Sequence, residues 1–159
     1  MYIRRLLDDE YEDVVKLITD TVHTVCASDY TKEELDAWAP ENFDIRKFRN
    51  NLSPCLNLVA FEKGKLVGFI SMERNGYINR LYTHKDYLRR GIATALYNKA
   101  EDWAKEKGIC EISLDSSRTA KDFYLKLGFK ESGISIINHG NVVFRNTVMK
   151  KVIQNGKTR

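Results

Sequence analysis

Between Tyr77 and Lys107 the chain reads YINRLYT and then HKDYLRRGIATALYNKAEDWAKEK: a short β-rich run, a basic turn with one glycine, and a long amphipathic helix. A strand that passes directly into such a helix calls for a sheet with helices laid on it. The turn places Arg89, Arg90 and Gly91 where the helix begins. A helix start offers unpaired backbone N–H groups and the positive end of the macrodipole, so it suits a phosphate-bearing ligand. Gly91 lets the backbone approach that ligand without a Cβ in the way.

The flanking sequence extends this arrangement in both directions. Met1–Leu6 alternates weakly as a first strand, and Tyr11, Val14, Val15, Ile18, Val22 and Val25 then recur at helical intervals. Thr31 with Glu34 forms a capping-box signature for a short helix that stops near Pro40, and Asp44 can cap another through Phe48 and Leu52. LNLVAFEK, a Gly-Lys turn and LVGFISMERN read as a hairpin, and Asn75-Gly76 marks a turn into a third strand, Tyr77–Thr83. The helix from Gly91 ends at Gly108, a natural C-terminal cap. A strand over Cys110–Leu114, a helix over Thr119–Leu127, and strands over Phe129–Ile137 and Val142–Val152 complete the order. The fold class is α/β in the broad sense (α+β): a mixed, mostly antiparallel twisted sheet of about seven strands with helices on both faces. One domain over residues 1–153 is expected, followed by a short basic tail, 154–159.

Composition narrows the function classes. With 43% apolar and 30% charged residues the chain is ordinary for a globular protein. No apolar run approaches the roughly 20 residues of a membrane span. The N-terminus lacks an apolar signal-peptide core, so a cytoplasmic location is expected. Cys26, Cys55 and Cys110 are scattered without a CxxC pair, which fits small core residues in a reducing compartment, and no metal site is read from the sequence. The net charge of +4 is interleaved with acids, which argues against nucleic acid as a partner. The cations outside that pattern are Arg89–Arg90 and Lys150, Lys151, Lys157 and Arg159, the latter group read as a solvated, frayed terminus.

The order of elements, with YTHKDYLRRGIATALY and SSRTAKDFYLKLGF, resembles the GNAT (GCN5-related) N-acetyltransferases, which move an acetyl group from acetyl-CoA to an amine. The resemblance runs from Ile3 to Val152. The family's Q/R-x-x-G-x-G/A loop falls on Leu88, Gly91 and Ala93, with Leu88 departing from the usual Gln or Arg. It implies that Leu88, Arg89, Arg90, Gly91, Ile92, Ala93 and Thr94 flank the diphosphate of coenzyme A. The family's S/N-x-x-A-x-x-x-Y-x-x-x-G-F pattern falls on Ser117, Ala120, Tyr124, Gly128 and Phe129. It implies that Tyr124 stands near the sulfur as the acid for the departing thiolate, and that Ser117 caps this helix. The resemblance also implies that the strand Tyr77–Thr83 bulges and splays from its neighbour, so that the main chain of Leu81, Tyr82 and Thr83 pairs with the pantetheine arm and offers an oxyanion donor.

The implied reaction is direct attack of a neutral primary amine, on a small molecule or a peptide, upon the thioester. The base is left open. Many relatives carry an acid on the strand matching Tyr77–Thr83, where this chain offers Asn79 and Arg80. Glu73, His23 and Asp29 are candidates elsewhere, with His84 in the cofactor loop and His139 in a distal turn ranked below them, and a water chain is equally open. Tyr30, Trp38 and Pro40 follow a spacing seen in a bacterial GNAT subgroup of poorly defined substrate; the aromatics either line the acceptor site or pack a helix pair. The acids Asp29, Glu33, Glu34 and Asp36 would favour a cationic amine. The substrate-side residues are thus His23, Tyr30, Trp38, Glu73 and Asn79. A catalytically silent acyl-CoA-binding regulatory module is the alternative, and a homodimer stays open.

Overall fold

The computed structural model describes residues 1–153, so the basic segment 154–159 lies outside the described residues. The order is β1 (Tyr2–Arg5), α1 (Tyr11–Val25), α2 (Lys32–Trp38), α3 (Ile45–Leu52), β2 (Leu56–Glu62), β3 (Lys65–Met72), β4 (Ile78–Thr83), α4 (Ile92–Glu106), β5 (Glu111–Ser116), α5 (Lys121–Lys126), β6 (Lys130–His139) and β7 (Val142–Val152). The expected elements are present, with β5 set later than the Cys110–Leu114 reading and α5 starting at Lys121. Local chemistry accounts for several of the starts. Thr31 Oγ1 accepts the Glu34 N–H at 3.2 Å while Glu34 Oε1 accepts the Thr31 N–H at 2.8 Å, the reciprocal box that opens α2. Asp44 Oδ1 accepts the Lys47 N–H at 3.0 Å and opens α3.

The strands form two sheets, β1-β2-β3-β4 and β5-β7-β6, with antiparallel pairing throughout each. Among the described residues the sheets meet at a single parallel bridge between Tyr77 and Ser113, where the Ser113 N–H donates to Gly76 O at 3.2 Å. Beyond this junction β4 and β5 separate. Gly76 has φ +93°, and a Cβ there would stand 2.6 Å from the Glu111 carbonyl oxygen. The junction therefore demands glycine on conformational and steric grounds.

Opposite sheet faces bury two clusters. Val14, Ile18 and Val22 of α1, with Leu35 of α2 and Phe48 of α3, pack on Val59, Phe69 and Phe144. Ile92, Leu96 and Ala100 of α4 pack on Ala60, Ile70, Met72 and Leu114. Helix α4 lies so close to β3 that a Cβ on Gly68 would meet Ile92 and Leu96 side-chain carbons at 2.8 Å. Lys150 and Lys151 depart from the frayed-terminus reading, whereas Lys157 and Arg159 lie outside the described residues. Lys151 sits in β7, its Nζ 3.0 Å from Glu101 Oε1 and 5.1 Å above the Tyr97 ring, which ties β7 to α4.

Candidate active site

The separation of β4 from β5 opens a cleft of about 380 Å³, within the range of small-ligand pockets. In β4, Ser71 stands opposite Arg80 and Met72 opposite Ile78, so Asn79 is the extra residue of a β-bulge. Past the bulge the alternation is regular. The His84 N–H donates to Val67 O at 2.8 Å, so Tyr82, two residues earlier, also turns its main chain toward β3, opposite Phe69. The main chains of Leu81 and Thr83 face the gap instead. The Tyr82 backbone is therefore committed to the ladder, unlike the sequence expectation. The Thr83 carbonyl is also engaged, accepting from Thr21 Oγ1 at 3.0 Å. The Leu81 N–H and C=O and the Thr83 N–H remain directed into the opening.

At the end of β4 the chain turns into α4 through Arg89, with φ +61°, and Gly91, with φ +80°. Alternation of left-handed residues at a helix start forms a concave set of N–H groups suited to an anion. A Cβ at Gly91 would meet nothing within 4 Å, so the approach to these N–H groups is open. Arg90 stacks its guanidinium 4.9 Å above the Tyr87 ring. Thr94 is exposed in the first turn of α4, Leu88 and Ala93 line the cleft, and Ile92 is buried beneath Gly68. These features fit an extended thiol-ester carrier with a diphosphate at one end.

On the β5 side, Tyr124 is 6% exposed and lines the cleft, and its hydroxyl forms no hydrogen bond among the described residues. Burial, with Tyr82 and Tyr77 nearby, pushes its pKa well above the usual tyrosine value, so the phenol stays protonated at neutral pH. Ser117 and Ala120 also line the cleft. Ser117 Oγ accepts the Ala120 N–H at 3.2 Å, capping the turn that precedes α5 rather than the helix itself.

The acceptor-side residues divide. Tyr30, Trp38 and Asn79 line the cleft. Tyr30 and Trp38 pack edge-to-face at 5.2 Å with Phe144 against both, so the aromatics both pack and line. Trp38 Nε1–H donates to Tyr82 Oη at 3.1 Å, and Tyr30 Oη accepts the Arg118 N–H at 2.9 Å. His23 and Glu73 are not brought in. His23 Nε2 is bonded to the Ala39 carbonyl at 2.8 Å, tying α1 to the end of α2, and Glu73 closes the β3–β4 turn through its N–H to Tyr77 O at 2.8 Å. Asp29 Oδ2 accepts from Thr119 Oγ1 at 2.7 Å, Asp36 pairs with Lys32 at 2.8 Å, and Glu34 caps α2, so these acids serve the scaffold. Of the cysteines, Cys26 is buried beside the cleft, whereas Cys110 is exposed rather than in the core.

Three groups reach the cleft that the sequence expectations rank low or leave without a role. Tyr77 donates its hydroxyl to Asp115 Oδ2 at 2.8 Å, and burial together with that carboxylate raises its pKa far above the ordinary phenol. Arg80 enters from β4. His139, expected in a distal turn, lines the cleft because β7 lies between β5 and β6 and carries the hairpin back over it. Its ring meets Phe144 edge-on at 5.2 Å. Desolvation by the cleft wall and the Arg80 charge hold its pKa below the ordinary histidine value, although the residue as a whole is exposed.

The sequence pattern described as an acetyltransferase (GNAT) domain matches residues 26–152. The chain belongs to this GNAT family. It is similar to an uncharacterized N-acetyltransferase, YafP, of Escherichia coli, 28% identical over 128 residues that span 80% of each protein. The crystal structure of a GCN5-related N-acetyltransferase from Rhodopseudomonas palustris superposes with a TM-score of 0.92 at 29% identity, covering 96% of this chain and 95% of that one. The PaiA N-acetyltransferase of Thermoplasma acidophilum, solved in complex with coenzyme A, shares the fold with a TM-score of 0.75 at 24% identity over 96% and 98% of the two chains. As a GNAT protein the chain is an acyltransferase that uses acetyl-CoA. No described helix is long and apolar enough to cross a membrane.

Proposed function

We propose that this GNAT protein acetylates a primary amine of a small molecule or peptide by direct attack in the cleft between β4 and β5. One observation carries the reading: the unpaired main chain of Leu81 and the unbonded hydroxyl of Tyr124 face the same cleft. Acetyl-CoA supplies an acyl group already activated as a thioester. The N–H groups around Gly91, with Arg89 and Arg90, hold the diphosphate end, and the Leu81 and Thr83 main chain receives the extended arm as an added strand. A backbone N–H of β4 stands where it can stabilise charge developing on the acyl oxygen. Tyr124, kept protonated, hands its proton to the leaving sulfur.

His139 takes the proton from the amine. It is the histidine lining the cleft among the described residues, and its lowered pKa leaves the imidazole neutral near pH 7. Asp115, the cleft's carboxylate, already receives the Tyr77 hydroxyl.

Tyr124→Phe tests the assignment by steady-state transfer and coenzyme A calorimetry. Loss of a general acid lowers kcat by roughly 10²-fold while coenzyme A affinity holds. A fully active variant would remove Tyr124 from the chemistry.

A further inference from the structure

Arg80 is the one arginine or lysine that lines the cleft among the described residues. Strand alternation places it on the same face as Tyr82, opposite Leu81, and its Cζ lies 5.5 Å from the Phe48 ring centre on α3. That face is turned away from α4, so Arg80 does not point at the phosphate-binding turn. Four other arginines each find an oxygen: Arg4 at Glu10, Arg49 at Asp8 O, Arg74 at Pro54 O, and Arg118 at Asp29 O. Arg80 forms no ion pair among the described residues, although it is half-buried. A guanidinium cannot shed its charge, and a partly desolvated one without an anion is costly.

We infer that the acceptor carries a carboxylate near its amine, as an amino acid does, and that Arg80 holds this carboxylate. The inference rests on the acetyltransferase reading above and names its substrate class. A planar guanidinium takes a carboxylate through two parallel hydrogen bonds, which fixes the acceptor's orientation as well as its position. Asp29, Glu34 and Asp36 are engaged in the scaffold and Glu33 does not line the cleft, which leaves Asp115 as the carboxylate lining it among the described residues. One fixed cation and one carboxylate complement a zwitterion. A polyamine, by contrast, would bring further positive charge toward Arg80.

The test uses the full chain with acetyl-CoA and matched acceptors: an amino acid, its carboxamide, the corresponding decarboxylated amine, and spermidine. The amino acid is expected to exceed its carboxamide in kcat/KM by roughly 10- to 100-fold, the range for a hydrogen-bonded charge. Arg80→Gln should bring that ratio toward one, and Arg80→Lys should restore only part of it, because an ammonium lacks the fork. Equal use of the carboxamide or faster use of spermidine by the unaltered protein overturns the inference, as does a ratio that persists in Arg80→Gln. Coenzyme A calorimetry on the same samples separates the two levels of failure. Normal heat without carboxylate preference overturns the substrate class alone, whereas no heat overturns the cofactor reading beneath it.

Discussion

The Tyr77 hydroxyl donates to Asp115 Oδ2 at 2.8 Å across the junction of β4 and β5, joining residues 38 positions apart in the chain. It lies beside the bridge between the two sheets, at the closed end of the gap between β4 and β5. Tyr77→Phe removes the donor and keeps the ring. A hydrogen bond to a charged group contributes about 1.5–3 kcal/mol, and denaturant unfolding should show a loss toward the lower end, with Cm falling and m unchanged. An unaltered Cm would mean that the bond adds nothing to the junction.

Gly76→Ala strikes the same junction through the backbone. The new Cβ meets the Glu111 oxygen at 2.6 Å, and φ +93° is unfavourable for any L side chain. Together these cost roughly 2–5 kcal/mol, visible as a depressed Tm. Stability equal to the parent would show that the turn relaxes without disturbing β5.

Gly91→Leu should behave differently. Its Cβ enters open space, so the folded chain bears only the strain of φ +80°, about 1–2 kcal/mol. Coenzyme A affinity, measured by calorimetry, should fall by at least about tenfold, because the side chain occupies the approach to the helix N–H groups. Retained affinity would move the diphosphate away from this turn.

The pH profile of kcat follows from two opposed shifts. Desolvation by the cleft wall and Arg80 lower the His139 pKa, so the imidazole is neutral at pH 7 and becomes protonated only as the pH falls below its ordinary value of about 6.5. The acid limb should therefore have its midpoint below 6.5, and His139→Gln should remove it along with part of the rate. Tyr124 is shifted upward, so no alkaline loss from that phenol is expected through pH 9. An acid limb that survives in His139→Gln would assign the proton to another group.

Local sequence rules carried far because many starts and stops are local. The Thr31–Glu34 box, the Asp44 cap and the Asn75-Gly76 turn each involve neighbours within a few positions. Bulge position, strand order and side-chain partners are long-range properties, and there the reading was incomplete. The acidic segment near Asp29 suggested a cation site, but Arg118 and Thr119 bind that segment from nearly 90 positions away. His23 lies on α1 about half a turn from the cleft residues Thr21 and Val25, so its ring points toward α2; periodicity separates these positions but does not say which of them meets the cleft.

The amino-acid order alone set the periodicities, the caps and the glycine-bearing turn into α4, and through them the α4 side of the cleft. These depend on backbone geometry and nearest neighbours, which sequence encodes directly. The opposite side of the cleft was decided by the tertiary fold. Placing β7 between β5 and β6 brings His139 and Phe144 over Arg80 and Tyr82, and no local pattern specifies which distant side chains share a cleft once two sheets part.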